Sequence, residues 1–111
     1  MAIDPSGFSI SISERDGRTV VAIGGELDLA TAPDLEQVLL ERIDAGEGVV
    51  LDLRGLQFMD SSGLRVLIAA HARASDGKTR FAVVRPAADS EVARILDIAG
   101  VEGQLDLVDE P

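Results

Sequence analysis

The residues best placed to do chemistry are Phe58-Met59-Asp60-Ser61-Ser62-Gly63-Leu64. Two hydroxyls and a carboxylate crowd together just ahead of an apolar helical stripe. Asp and Ser are preferred helix N-caps, because the first turn of a helix has amide N–H groups with no partner of their own. One cap needs one side chain, however, and three polar side chains stand here. The start of a helix also carries partial positive charge. That makes it a favourable seat for a serine that acquires a phosphate. If Asp60 or Ser61 caps the helix, Ser62 falls at its first or second position with the hydroxyl open to solvent. Spacing alone does not choose between Ser61 and Ser62. Gly63 lacks a side chain and would let a partner approach.

Other chemistries fail on residue type or spacing. His71, the one histidine, lies nine residues after Ser62 on the same expected helix. Nine steps of about 100° turn it to the opposite face, about 13 Å along the axis, so it cannot be a base for that serine. No Gly-x-Ser-x-Gly elbow is present. With no cysteine and one histidine, only a carboxylate site for a hard cation remains. Glu26 and Asp28 are two apart but resemble no calcium loop, and read as turn and surface acids. They also follow Gly24-Gly25 closely enough to repel a phosphate from those glycines. No catalytic residue, metal or cofactor is expected.

The whole chain agrees with a binding role. It has 111 residues, of which 46% are hydrophobic, enough for one domain with a real core. Twenty acids against ten bases give a net charge of −10, and Trp and Tyr are absent. Such a surface repels nucleic acid and anionic membranes and offers no base-stacking platform. No stretch approaches the length of a membrane span, and the first residues lack the pattern of a signal peptide. Fraying is expected over residues 1–6 and 109–111.

The elements that must hold the serine pair follow from periodicity. Phe8 to Ser13 alternates as a half-buried strand, Asp16-Gly17 makes a hairpin turn, and Thr19 to Ile23 returns. Gly24-Gly25 is expected to end that strand. Thr31 is expected to cap a helix with Asp34 as its reciprocal acid and Pro33 in the first turn. Leu35, Val38, Leu39 and Ile43 form its apolar face, and Gly46 closes it. Gly48 to Leu53 is a strand covered on both faces, and Arg54 to Met59 a connection. The Asp60-Ser61-Ser62-Gly63 helix carries Leu64, Leu67, Ile68 and His71 as its stripe. Phe81 to Val84 is a strand; Val92, Ile95, Leu96 and Ala99 mark a third helix; Leu105 to Val108 is a short last strand. The order predicts an α/β domain with one mixed sheet of about four to five strands, packed with about three to four helices.

Three segments carry a family resemblance. Leu51-Asp-Leu-Arg-Gly-Leu-Gln-Phe-Met-Asp-Ser-Ser-Gly-Leu64 resembles the signature of STAS domains, in particular bacterial anti-sigma factor antagonists. Gly25-Glu-Leu-Asp-Leu-Ala-Thr-Ala-Pro33 and Val92 to Val101 are similar to two further segments of that family. Together they span nearly the whole chain as a single domain, residues 1–111. The resemblance implies a partner switch in the cytoplasm. The unphosphorylated antagonist binds an anti-sigma factor that is itself an ATP-dependent serine kinase, and the sigma factor is released. Phosphorylation of the second serine, Ser62 here, ends the complex, and a serine phosphatase restores it. Asp60 and Asp28 match the family's acids. The implied contact patch comprises Glu26, Asp28, Thr31, Met59, Asp60, Ser61, Gly63 and Arg65, with Met59 and Leu64 as candidate apolar anchors, core burial being the stronger expectation for Leu64. Arg65 departs from the family, where many members have glycine; it would pair with the phosphate or narrow the range of kinases that fit. A monomer or weak dimer, with no membrane insertion, is expected. The competing readings are a STAS accessory module of a membrane transport or lipid export system, and a small-ligand sensor.

Overall fold

A computed structural model describes residues 2–3 and 7–111, with side chains from residue 7 onward. The remaining part of the frayed segment expected over residues 1–6 lies outside the described residues. Six strands form one sheet in sequential order: β1 (Ala2–Ile3), β2 (Ser9–Arg15), β3 (Arg18–Leu27), β4 (Val49–Met59), β5 (Phe81–Val84) and β6 (Leu107–Val108). The first three pair antiparallel, and β3 to β6 pair parallel. The helices are α1 (Ala32–Asp44), α2 (Ser61–Asp76) and α3 (Glu91–Ala99), followed by a 3-10 turn at Glu102–Gln104.

Local chemistry explains most of this. Asp16 and Gly17 both take positive φ, 53° and 80°, the pair that a tight two-residue hairpin demands. Helix α1 ends beside the expected Gly46, and α2 and α3 end at Gly77 and Gly100. On one face of the sheet, Val21, Ile23, Leu51, Leu53 and Val83 meet Leu35, Leu39, Leu67, Val92 and Leu96 from all three helices. On the other, Val20, Val50, Ala82 and Val84 form a smaller cluster on which Val108 packs. Both apolar runs therefore sit in interior strands, as their composition demands. Near the chain end, Asp109 pairs with Arg85 at 3.6 Å.

Two strands run longer than their patterns predict. The β3 strand does not stop at Gly24-Gly25 but continues to Leu27, and Arg54 to Met59 is not a connection but the second half of β4. The cause is a pair of register shifts between β3 and β4. Ala22 faces Asp52 but Gly24 faces Gly55; Gly25 faces Leu56 but Glu26 faces Phe58. Each shift gives β4 one extra residue and reverses which parity points inward. Leu51 and Leu53 point to the core, then Leu56, then Met59. The alternation that marks a strand is thus broken twice in sequence while the strand continues in space. Gly25 sits at the second shift with φ +84°, and a Cβ there would strike the Gly7 carbonyl.

Candidate functional site

The extended β3 and β4 end side by side, Leu27 opposite Met59, and both side chains are fully buried. The Asp60 N–H donates to the Leu27 carbonyl at 3.1 Å, which fixes the start of α2 against the end of β3. Asp60 is the N-cap. Its Oδ1 accepts the Ser62 N–H at 2.8 Å and the Gly63 N–H at 3.4 Å. One carboxylate thereby satisfies two otherwise unpaired amides of the first turn. Ser61 and Ser62 are the first two helical residues. Ser61 is exposed and Ser62 half-buried, and neither hydroxyl has a hydrogen-bond partner among the described residues.

A second turn lies across from the serines. Asp28 Oδ1 accepts the Ala30 N–H at 3.0 Å and the Thr31 N–H at 3.1 Å. The Thr31 hydroxyl accepts the Asp28 N–H at 2.9 Å and lies 2.9 Å from the Glu26 carbonyl, to which it donates. Thr31 stands at the N-cap position of α1, yet its side chain caps nothing in the helix, and the expected exchange with Asp34 does not form. Thr31 has helical φ and ψ (−102°, −23°), and its hydroxyl is turned back onto the preceding turn. The Asp28 side chain orders the turn ahead of α1 and takes no N–H of the helix itself.

Between the two turns runs a groove of 270 Å³. Leu29, Pro33 and Glu36 line it from the α1 side, Ser62, Arg65 and Ala69 from α2. Leu29 is 72% exposed. The sequence reading missed it; the available signal was an apolar residue just past Asp28, whose turn takes Leu29 out of the strand alternation that buries Leu27.

Of the residues expected in the contact patch, Glu26, Asp28, Asp60, Ser61 and Arg65 keep exposed or half-buried side chains near this corner. Three do not belong to an accessible patch. Thr31 is 2% exposed and Met59 is 0% exposed. Gly63 is buried, and a Cβ there would lie 2.6 Å from Met59 Cγ and 2.8 Å from Leu27 Cδ2. It is glycine because α2 rests directly on those two side chains, not to admit a partner. Leu64 packs against the core.

Behind the corner, in β4, Asp52 holds Arg54. The Arg54 N–H donates to Oδ1 at 3.0 Å, and Nη2 to Oδ2 at 2.8 Å. Burial pushes the Asp52 carboxyl up, but the Arg54 side-chain bonds, its N–H and its charge together outweigh that and hold it below its ordinary value. No described helix is long and apolar enough to cross a membrane.

Comparison with known proteins agrees with this architecture. The family model described as "Mlab, STAS domain" matches residues 10–109. The anti-sigma-F factor antagonist RsfB of Mycobacterium tuberculosis is 31% identical over 99 residues, which cover 88% of this chain and 79% of that protein. The anti-sigma-B factor antagonist of Staphylococcus aureus is 26% identical over 96 residues, covering 86% and 87%. The crystal structure of an anti-sigma factor antagonist from Mycobacterium paratuberculosis superposes with a TM-score of 0.84 at 27% identity, covering 98% of this chain and 92% of that one. With the fold, the order of the elements and the Asp-Ser-Ser-Gly corner all in place, the chain belongs to the STAS-domain family of anti-sigma factor antagonists.

Proposed function

We propose that this domain antagonises an anti-sigma factor by docking through the Ser62 corner, and that phosphorylation of Ser62 turns the docking off. The observation that carries this reading is the free Ser62 hydroxyl in a groove wall, beside an aspartate that has taken over the capping. The relatives' names supply the class of partner. On this reading the domain works in the cytoplasm and catalyses nothing. The anti-sigma factor is itself the serine kinase and supplies ATP, magnesium and the base. The Ser62 oxygen attacks the γ-phosphorus, the bond from that phosphorus to the ADP oxygen breaks, and the hydroxyl proton passes to the kinase's base. A serine phosphatase hydrolyses the ester and restores the hydroxyl.

The phosphate adds about −1.5 to −2 charges at neutral pH. The start of a helix tolerates it locally. An interface that fitted a neutral hydroxyl among Glu26, Asp28, Glu36 and Asp60 does not. Leu29 is the apolar anchor that the buried Met59 cannot be.

Intact-mass measurement after incubation with ATP and the kinase-type anti-sigma factors of the same organism tests the reading. One phosphate is expected, lost in Ser62→Ala and kept in Ser61→Ala. Ser62→Asp should weaken binding to the anti-sigma factor by about a few hundred-fold, about 3–4 kcal/mol, with an unchanged far-UV spectrum. Phosphate on Ser61, or parental affinity in Ser62→Asp, sinks the proposal.

A further inference from the structure

Arg65 lines the same groove as Ser62, one turn further along α2. It is exposed and, among the described residues, has no ion pair or hydrogen bond. Arg15, Arg18 and Arg94 also lack an ion pair among the described residues, but none of them lines this groove; the other five arginines behave differently. Arg42, Arg54, Arg73, Arg80 and Arg85 each face a carboxylate at 2.8–3.6 Å. In a chain with twice as many acids as bases, a cation without a partner beside an unpartnered hydroxyl needs a reason.

Geometry supplies one. Side chains three residues apart on a helix are neighbours, and long ones lean toward the helix start. That preference carries an arginine at position 65 over the turn that holds Ser62. A guanidinium offers a planar fork that matches phosphate oxygens. The other charged groups around that position are anionic: Glu36 from α1, Asp28 from the facing turn and Asp60 at the cap. Two of them, Asp28 and Asp60, already hold backbone N–H groups. Arg65 is the only cation among the described residues that line this groove.

We propose that Arg65 receives the phosphate on Ser62 as an ion pair one helical turn long, and so withdraws the groove's cation from a docking partner. This rests on Ser62 being the phosphoacceptor. Phosphorylation then acts twice: it adds an anion, and it occupies the one groove cation that a partner's carboxylate or carbonyl would use. Arg65 is a positioning residue for the modified state.

The test uses phosphoserine encoded genetically at position 62, so no kinase takes part. The second pKa of the phosphate is read by phosphorus NMR in the parent and in Arg65→Gln, Arg65→Lys and Glu36→Gln. A nearby cation favours the dianion and lowers this pKa. Arg65→Gln should titrate about 0.5 pH unit higher than the parent, as one charge about 5 Å away in a watery setting implies. Arg65→Lys should recover most of the difference, and Glu36→Gln should titrate lower than the parent. Arg65→Gln should also lower the Tm of the phosphorylated protein and leave that of the unmodified protein in place. Identical titrations in the parent and Arg65→Gln overturn the pair. Failure of every anti-sigma kinase to modify Ser62 breaks the functional proposal instead and leaves this titration standing.

Discussion

At the start of α3 the Ser90 hydroxyl accepts the Ala93 N–H at 3.1 Å, as a capping serine does. At the start of α2, Ser62 is a residue of the helix itself, and Asp60 accepts the amides in its place. The same residue type occupies two helix starts in two different conditions. Ser90 belongs to its own backbone. Ser62 is relieved of that work by a carboxylate two residues earlier. Thr31 at the start of α1 is a third condition: its hydroxyl is engaged and also buried. A hydroxyl becomes available for chemistry only when something else satisfies the local amides and nothing covers it. In this domain an aspartate arranges that. Asp28, Asp52 and Asp60 each accept the N–H two residues on, from Ala30, Arg54 and Ser62.

The contrast can be broken most severely at Gly63. Gly63→Val pushes a branched side chain into Met59 and Leu27, both fully buried, and should destabilise the domain by about 3 kcal/mol in urea unfolding. A value within 0.5 kcal/mol of the parent, taken as about zero on the scale of surface substitutions, would mean α2 does not rest on those residues.

The comparison sharpens when the caps are removed one by one. Asp60→Ala should lose about 1.5 kcal/mol and Ser90→Ala about 1 kcal/mol, because each leaves amides unpaired. Ser62→Ala should stay within about 0.5 kcal/mol of the parent. Equal losses for Ser62→Ala and Ser90→Ala would show that both serines serve their helices.

The smallest loss expected among the carboxylates belongs to Asp52, and pH controls it. Its carboxyl titrates lower in the folded than in the unfolded chain, so its stabilisation is full above about pH 4 and is lost as pH falls through the lowered folded value. Asp52→Asn should cost about 0.5–1 kcal/mol at pH 7. That difference should shrink in urea midpoints taken at successively lower pH below about 4. A gap that holds constant down to acid pH would remove Arg54 as its cause.

Much of the fold was legible because side-chain period reports burial. Phe81–Val84 appears as read, and the α1 and α3 stripes carry the buried Leu35, Leu39, Ile43, Val92 and Leu96. Residues 24–25 and 54–59 misled for one physical reason: period-2 reasoning assumes an unbroken ladder, and two register shifts interrupt this one. At the site, the crowding of Asp60, Ser61 and Ser62 was readable, and so was the surplus of capping groups. Which group caps was left open, since Asp and Ser do that work equally well. The burial of Met59 and Gly63 was not readable either, because it depends on how closely α2 lies on the ends of β3 and β4, and Thr31 is buried with its hydroxyl turned back onto the turn of Glu26 and Asp28.

Those two register shifts also act as slack. Alternation along β3 is unbroken, and β4 takes two more residues over the same span without losing step with it: Leu51, Leu56 and Met59 stay paired with Val21, Gly25 and Leu27 on the inward face. The direction in which the Asp60 corner points is therefore set by the pairing of Met59 with Leu27. A chain one residue shorter between Arg54 and Phe58 would have one bulge to give up, and would still aim the same motif at the same side of the sheet.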